Sequence, residues 1–239
     1  MPVAEIQAKI RRRDPMRITF CANDCIPVHA RIVEERPIGG TETAIVRLAE
    51  ALHKLGHRVT VLTRMQTPPL SLPLYLPISA VNQLGETDVL ISIRDWKPLF
   101  LPIKTRRRML WTGDAYDQPS TAGIGDLRIS RHIDKLLCVS NWHARTLCEE
   151  SGFPMEKSWV IRNGIKLSLF EGSEKRTRKR LVYSSTPYRG LKHLLQIFPA
   201  ILKLHADAEL HIFSGYDVYK GTQEYPANVI KEFQALKES

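Results

Sequence analysis

The chain has 239 residues, 43% apolar and 25% charged, and its 35 Lys and Arg outweigh 25 Asp and Glu for a formal net charge of +10. That apolar share supplies a sizeable core and excludes disorder as the main state, while the length suits one large domain or two small ones. The charge excess favours an anionic partner, whether a phosphorylated ligand, an anionic membrane surface or nucleic acid.

The opening residues MPVAEIQAKIRRRDPMR are basic, with no apolar stretch of signal-peptide kind behind them. No apolar run approaches the roughly 20 residues of a membrane-spanning helix. A cytoplasmic setting is therefore expected, with peripheral attachment at the inner face of a membrane as a variant of it. Cys21, Cys25, Cys138 and Cys148 are too few and too scattered for a disulfide framework, so buried thiols are expected.

In chain order, residues 17–22 read as a short buried strand. Residues 23–40 carry Pro27, Pro37 and Gly39-Gly40 and read as a loop. From Thr41, the spacing of Ala44, Ile45, Leu48, Ala49, Leu52 and Leu55 predicts an amphipathic helix that stops at Gly56. Residues 58–63 form a second strand, which completes a βαβ unit with parallel strands and a right-handed crossover. A Pro-rich loop follows through Pro68, Pro69, Pro73 and Pro77. Further strands are expected at 89–93, 108–112, 135–139 and 158–161. A helix is expected over 141–151, capped by Ser140 or Asn141. Strands alternating with helices imply an α/β fold with a parallel sheet covered on both faces.

Residues 171–180, EGSEKRTRKR, have almost nothing apolar and read as a linker. The expected division is a polar extension over 1–16, a Rossmann-like domain over 17–170, the basic linker, and a partial second Rossmann-like domain over 181–239. That last part holds strands at 181–185 and 209–215 and helices at 191–205 and 227–237.

Several groups suit anionic chemistry. Gly39-Gly40-Thr41 sits at a helix start, where free N–H groups and the positive end of the dipole face outward and glycine admits close approach. A plain turn capped by Thr41 is the competing reading. Arg189 and Lys192 open the helix of the second unit and suit a diphosphate. Ser184, Ser185 and Thr186 at the preceding strand end add hydroxyl donors. Solvated first-turn charges are the alternative. Asp114 and Asp117 follow a strand end, where ligands of parallel sheets bind; an ordinary Asp-rich turn explains them equally. The basic runs at 11–13, 106–108 and 175–180 lack the aromatic interleaving of RNA-binding modules, so nucleic acid is disfavoured. The eight histidines show no ligand spacing, and no metal is assigned.

Several of these segments together resemble one family. Gly39-Gly40-Thr41-Glu42 with its helix, Gly56-His57-Arg58-Val59, Cys138-Val139-Ser140-Asn141-Trp142 and Val160-Ile161-Arg162-Asn163-Gly164-Ile165 resemble the glycogen-synthase-like retaining glycosyltransferases (glycosyltransferase group 1, family 4). The resemblance resumes over 184–195 and 210–215.

It implies a GT-B fold of two Rossmann-like domains, here truncated in the C-terminal one. It also implies sugar transfer from a nucleotide-sugar donor, with no cofactor or metal, to a polysaccharide, lipopolysaccharide or glycolipid acceptor of the cell envelope. By resemblance, Gly39, Gly40, Arg189 and Lys192 hold the donor diphosphate. Thr41, Ser184, Ser185 and Thr186 lie nearby, and Asp114 stands near the transferred sugar as the catalytic candidate.

Three departures stand out. The family's usual His falls at Gly113, and its first basic residue of the second domain falls near Ser184. Its downstream Glu-x7-Glu pair is not met by Glu224 and Glu232, because Tyr225-Pro226 follows Glu224. The rival expectation is a non-catalytic remnant or subunit that needs a second polypeptide. An exposed edge at 210–213, or its cover by another copy or a partner chain, is expected with it.

Overall fold

The computed structural model describes residues 14–172, 175–216, 218 and 226–238. They fall into two compact units, one within Met1–Ile165 and one within Lys166–Ser239.

The first unit is built on a seven-stranded parallel sheet: β1 (Arg17–Ala22), β2 (Arg58–Thr63), β3 (Leu74–Pro77), β4 (Thr87–Ile93), β5 (Thr105–Trp111), β6 (Lys135–Cys138) and β7 (Ser158–Val160). Their spatial order is β3-β2-β1-β4-β5-β6-β7. This is the doubly wound, Rossmann-like arrangement. Successive strands move outward from β1 to β3. The chain then returns to lay β4 against the other side of β1. The carboxyl ends of β1 and β4 therefore send their loops in opposite directions, and the crevice between them is the place where such sheets bind ligands.

The two-residue period of each strand divides the apolar side chains between two cores. Ile18, Phe20, Val59, Val61 and Ile93 face Ile45, Val46 and Ala49 of α2 (Gly40–Lys54), with α1 (Ile32–Glu35) contributing Ile32. Cys21, Leu62, Leu90, Leu110 and Leu136 face Ala144, Leu147 and Cys148 of α4 (Asn141–Ser151). Cover on both faces explains why these strands read as nearly continuous apolar runs.

The structure adds elements that the pattern does not announce. The 23–40 loop contains α1. The Pro-rich stretch yields β3, an edge strand, where a missing N–H costs least. The short α3 (Leu127–Ser130) starts at Asp126, whose carboxylate accepts the Arg128 N–H at 2.8 Å. All four cysteines are free and buried.

The second unit pairs β8 (Arg180–Tyr183) with β9 (Glu209–Ile212) in parallel and carries α5 (Leu191–Leu204) and α6 (Ala227–Glu238). β8 and β9 make a two-stranded sheet, so each has a free edge among the described residues. Ile212 is 41% exposed and Phe213 67%. Among the described residues no helix is long and apolar enough to cross a membrane.

Candidate functional site

Three loops meet beyond the carboxyl ends of β1, β4 and β5, and Arg94 joins them. Its Nε donates to Asp114 Oδ2 at 2.8 Å, and a terminal nitrogen donates to the Asp24 carbonyl at 3.2 Å. The guanidinium is 32% exposed and the Asp114 side chain 14%. Burial works against the Arg94 charge, but the hydrogen bond and opposite charge of Asp114 outweigh it and hold its pKa above the usual value.

The backbone at Arg94 is unusual. Its φ is 65°, and the Asp95 N–H returns to the Ile93 carbonyl at 2.8 Å across it. A two-residue hydrogen bond around a positive φ marks the rarer, strained kind of γ-turn, here built on a residue with a β-carbon. The Arg94 N–H reaches Trp111 O at 2.8 Å, and the Ser92 hydroxyl donates to Asp95 O, so neighbouring bonds hold the turn in place. Strain of this kind concentrates at functional sites.

Asp114 is fixed from several sides. Ser120 Oγ donates to Oδ2 at 2.7 Å, and the Asp114 N–H donates to Thr112 Oγ1 at 3.0 Å. Buried His143 meets the Asp114 carbonyl through Nε2 at 2.8 Å, and its Nδ1 accepts the Val139 N–H at 3.3 Å. Those partners define an Nε2–H tautomer. Oδ1 accepts no hydrogen bond from a described residue.

The start of α2 joins the same edge. Glu42, buried in its first turn, accepts the Ile26 N–H at 3.2 Å. Ile26 follows Cys25, which feels the charges of Glu42, Arg94, Asp24 and Asp114. Burial first, and Glu42 second, push the Cys25 thiol far above the usual range, which makes it inert as a nucleophile.

Gly39 rather than Thr41 is the cap. Its φ of −65° suits any residue, and Thr43 Oγ1 donates to its carbonyl at 2.9 Å. A β-carbon on Gly40 would meet nothing within 4 Å. Neither backbone conformation nor packing requires glycine at Gly40. A β-carbon there would stand in open space in the first turn of the helix, where N–H groups have no intrahelical partner.

The other candidate diphosphate and hydroxyl groups lie in the second unit. Arg189 ends a short 3-10 turn, its guanidinium 5.9 Å from the Tyr188 ring centroid, and Lys192 is exposed in the first turn of α5 beyond Gly190. The Thr186 carbonyl accepts from Tyr183 OH at 2.7 Å, and the Ser185 carbonyl accepts from Ser214 Oγ at 2.6 Å. Ser184 is exposed. Asp117 is exposed three residues beyond Asp114. Glu224 and residues 1–13, with their basic run, lie outside the described residues. Among the described residues no three or more His, Cys, Asp or Glu side chains form a metal-holding group.

Two open clefts, of about 630 and 520 Å3, lie at the opposite, amino end of the strands. Arg17 and Arg106 line the first, and each lies 3.5 Å from the Asp88 carboxylate between them. Sheet topology and the strained, charged cluster both favour the carboxyl end.

No protein-family model matches the chain, and no curated protein matches it.

Proposed function

We propose that the chain is a retaining, nucleotide-sugar-dependent glycosyltransferase of GT-B type, or the N-terminal portion of one. The observation that carries this reading is the cluster at the carboxyl ends of β1, β4 and β5, where a strained arginine clamps Asp114 and the glycine-started α2 is tied to the loop after β1 through Glu42 and the Ile26 N–H. The α2 start offers free N–H groups and the positive dipole end to a diphosphate. Gly39 and Gly40 leave that approach clear, with Thr41 beside them. Arg189 and Lys192 are the second unit's candidate diphosphate groups, and Ser184, Ser185 and Thr186 its hydroxyl and backbone candidates. Asp114, held through Oδ2, keeps Oδ1 for a hydroxyl of the transferred sugar. Protein donors that stabilise the leaving diphosphate do the work that a metal does in other transferases.

The acceptor in this reading is a glycan or a lipid-linked glycan. A membrane-surface role rests mainly on exposed Lys175, Arg176 and Arg178, because Arg17, Lys104, Arg106, Arg107, Lys179 and Arg180 are all within ion-pair distance of Glu86, Asp88, Asp134, Asp207 or Glu209. The second reading, a subunit completed by a partner chain or another copy, is favoured by the two-stranded sheet with its exposed Ile212 and Phe213. Turnover by a lone monomer excludes that second reading.

Calorimetric titration with UDP- and GDP-sugars tests the first. Donor heat is expected, and Gly40→Ala is expected to weaken donor binding at least tenfold, about 1.4 kcal/mol, without loss of thermal stability. Absence of heat with every donor overturns donor binding.

A further inference from the structure

The second amino-end cleft, about 520 Å3, lies wholly within the first unit. Parallel pairing sets its lining in rows. Arg17 of β1 and Arg58 of β2 are register partners at the amino end of the sheet. Two residues further along, and so on the same faces of their strands, Thr19 pairs with Thr60, and Thr60 pairs with Leu74 of β3. Leu72, 74% exposed, and half-buried Leu84 add apolar lining. Gly56 and Gly85 line the same cleft, and a β-carbon on either would meet nothing within 4 Å.

The two arginines differ in what they already hold. Arg17 lies 3.7 Å from Glu86 and 3.5 Å from Asp88, and Glu86 also binds Lys104. Exposed Arg58 has no carboxylate within ion-pair distance among the described residues. His53 and His57 are the other titratable groups of the lining. His57 Nδ1 accepts the Met16 N–H at 3.2 Å, which places its proton on Nε2. The Thr19 hydroxyl donates to Thr87 Oγ1 at 3.1 Å, so its proton is taken.

We propose that this cleft binds a monocarboxylate with an apolar body, its carboxylate on the Arg58 guanidinium and its hydrocarbon against Leu72, Leu74 and Leu84. A guanidinium takes a carboxylate through two parallel N–H donors. Apolar walls with a few placed polar groups are the composition of small-molecule sites, and the volume falls within their usual range of roughly 300–1,000 Å3. The charge count sets the charge of the ligand. Arg58 is the one guanidinium of the lining that faces no carboxylate, and Glu86 in the same cleft opposes a second negative charge. The six residues of β2 set this cleft about 20 Å from the carboxyl-end cluster. The proposal therefore stands apart from the transferase reading.

Calorimetric titration of the full chain with octanoate and 2-naphthoate tests it, with 1-octanol and octyl phosphate as comparison probes. Saturable binding of at least one carboxylate is expected. Arg58→Gln is expected to weaken that probe at least tenfold, and Arg58→Lys to keep part of the affinity, since the charge stays and the fork is lost. Leu72→Ser, a change at an exposed side chain, is expected to weaken it as well. Both side chains stand in solvent, so the variants are expected to keep the wild-type urea midpoint. No saturable heat with either carboxylate overturns the proposal. So does equal affinity in wild type and Arg58→Gln, which places the probe elsewhere, for example on exposed Ile212 and Phe213. Octanol that binds as tightly as octanoate removes the role of the guanidinium, and octyl phosphate that binds more tightly removes the monocarboxylate.

Discussion

Arg94 concentrates the chemistry of the first unit in one residue. It accepts a left-handed backbone and returns an ion pair that spans the loops after β1, β4 and β5. The two effects are separable by substitution. Arg94→Gly relieves the turn and deletes the pair, whereas Arg94→Ala deletes the pair and keeps the strain. The glycine variant is expected to be more stable than the alanine variant by about 1 kcal/mol, the lower end of the left-handed penalty. A double-mutant cycle of Arg94→Ala with Asp114→Asn is expected to show about 1 kcal/mol of coupling in urea unfolding. An alanine variant as stable as wild type, with no coupling, removes the clamp. Asp114 was legible in the sequence because it follows a strand end. Arg94 was not, because nothing in Ile-Arg-Asp signals a positive φ. Hydrogen bonds between neighbouring strand ends impose that turn, and they exist only after the sheet has formed.

At the scale of elements, strand and helix positions follow from periodicity wherever both faces of the sheet demand apolar residues. The parallel sheet and α2 were legible for that reason. β3 was not, since Pro73 and Pro77 argue for a loop and only its edge position makes a strand compatible with them. Contacts between loops and helix ends are equally hidden. Gly125 precedes α3, and a β-carbon there would lie 1.6 Å from the Ser151 carbonyl oxygen at the end of α4. Backbone meets backbone, so no rotamer relieves the clash. Gly125→Ala is expected to cost about 3 kcal/mol, the upper end of the usual overpacking penalty, read as a collapse of soluble yield or of the urea midpoint. Gly85→Ala, with nothing within 4 Å and no positive φ, is its control and is expected to be neutral or slightly stabilising. Equal midpoints for the two variants would show that the 123–126 loop does not pack on α4.

For the whole molecule, the two units differ in what holds them. The first buries two cores against a seven-stranded sheet. Among the described residues of the second, the buried apolar side chains are Leu191, Phe233 and Pro187. A two-stranded parallel sheet with so little cover is a weak independent unit. Chain length and the composition of residues 171–180 made this imbalance legible, but the sequence carries no signal for what covers β9.

Trypsin reads the difference directly. Lys175, Arg176 and Arg178 are exposed, and Lys179 and Arg180 pair with exposed Asp207 and Glu209. Local opening governs cleavage when opening is fast, so the weaker unit is lost first. Early digestion is expected to cut at 175–180 and leave a resistant fragment that contains β1 to β7, identified by intact mass, while α5 and α6 disappear. A second unit that survives as long as the first under these conditions is covered by another chain. Its protection would then fall on dilution, because mass action dissolves a cover that is not covalent.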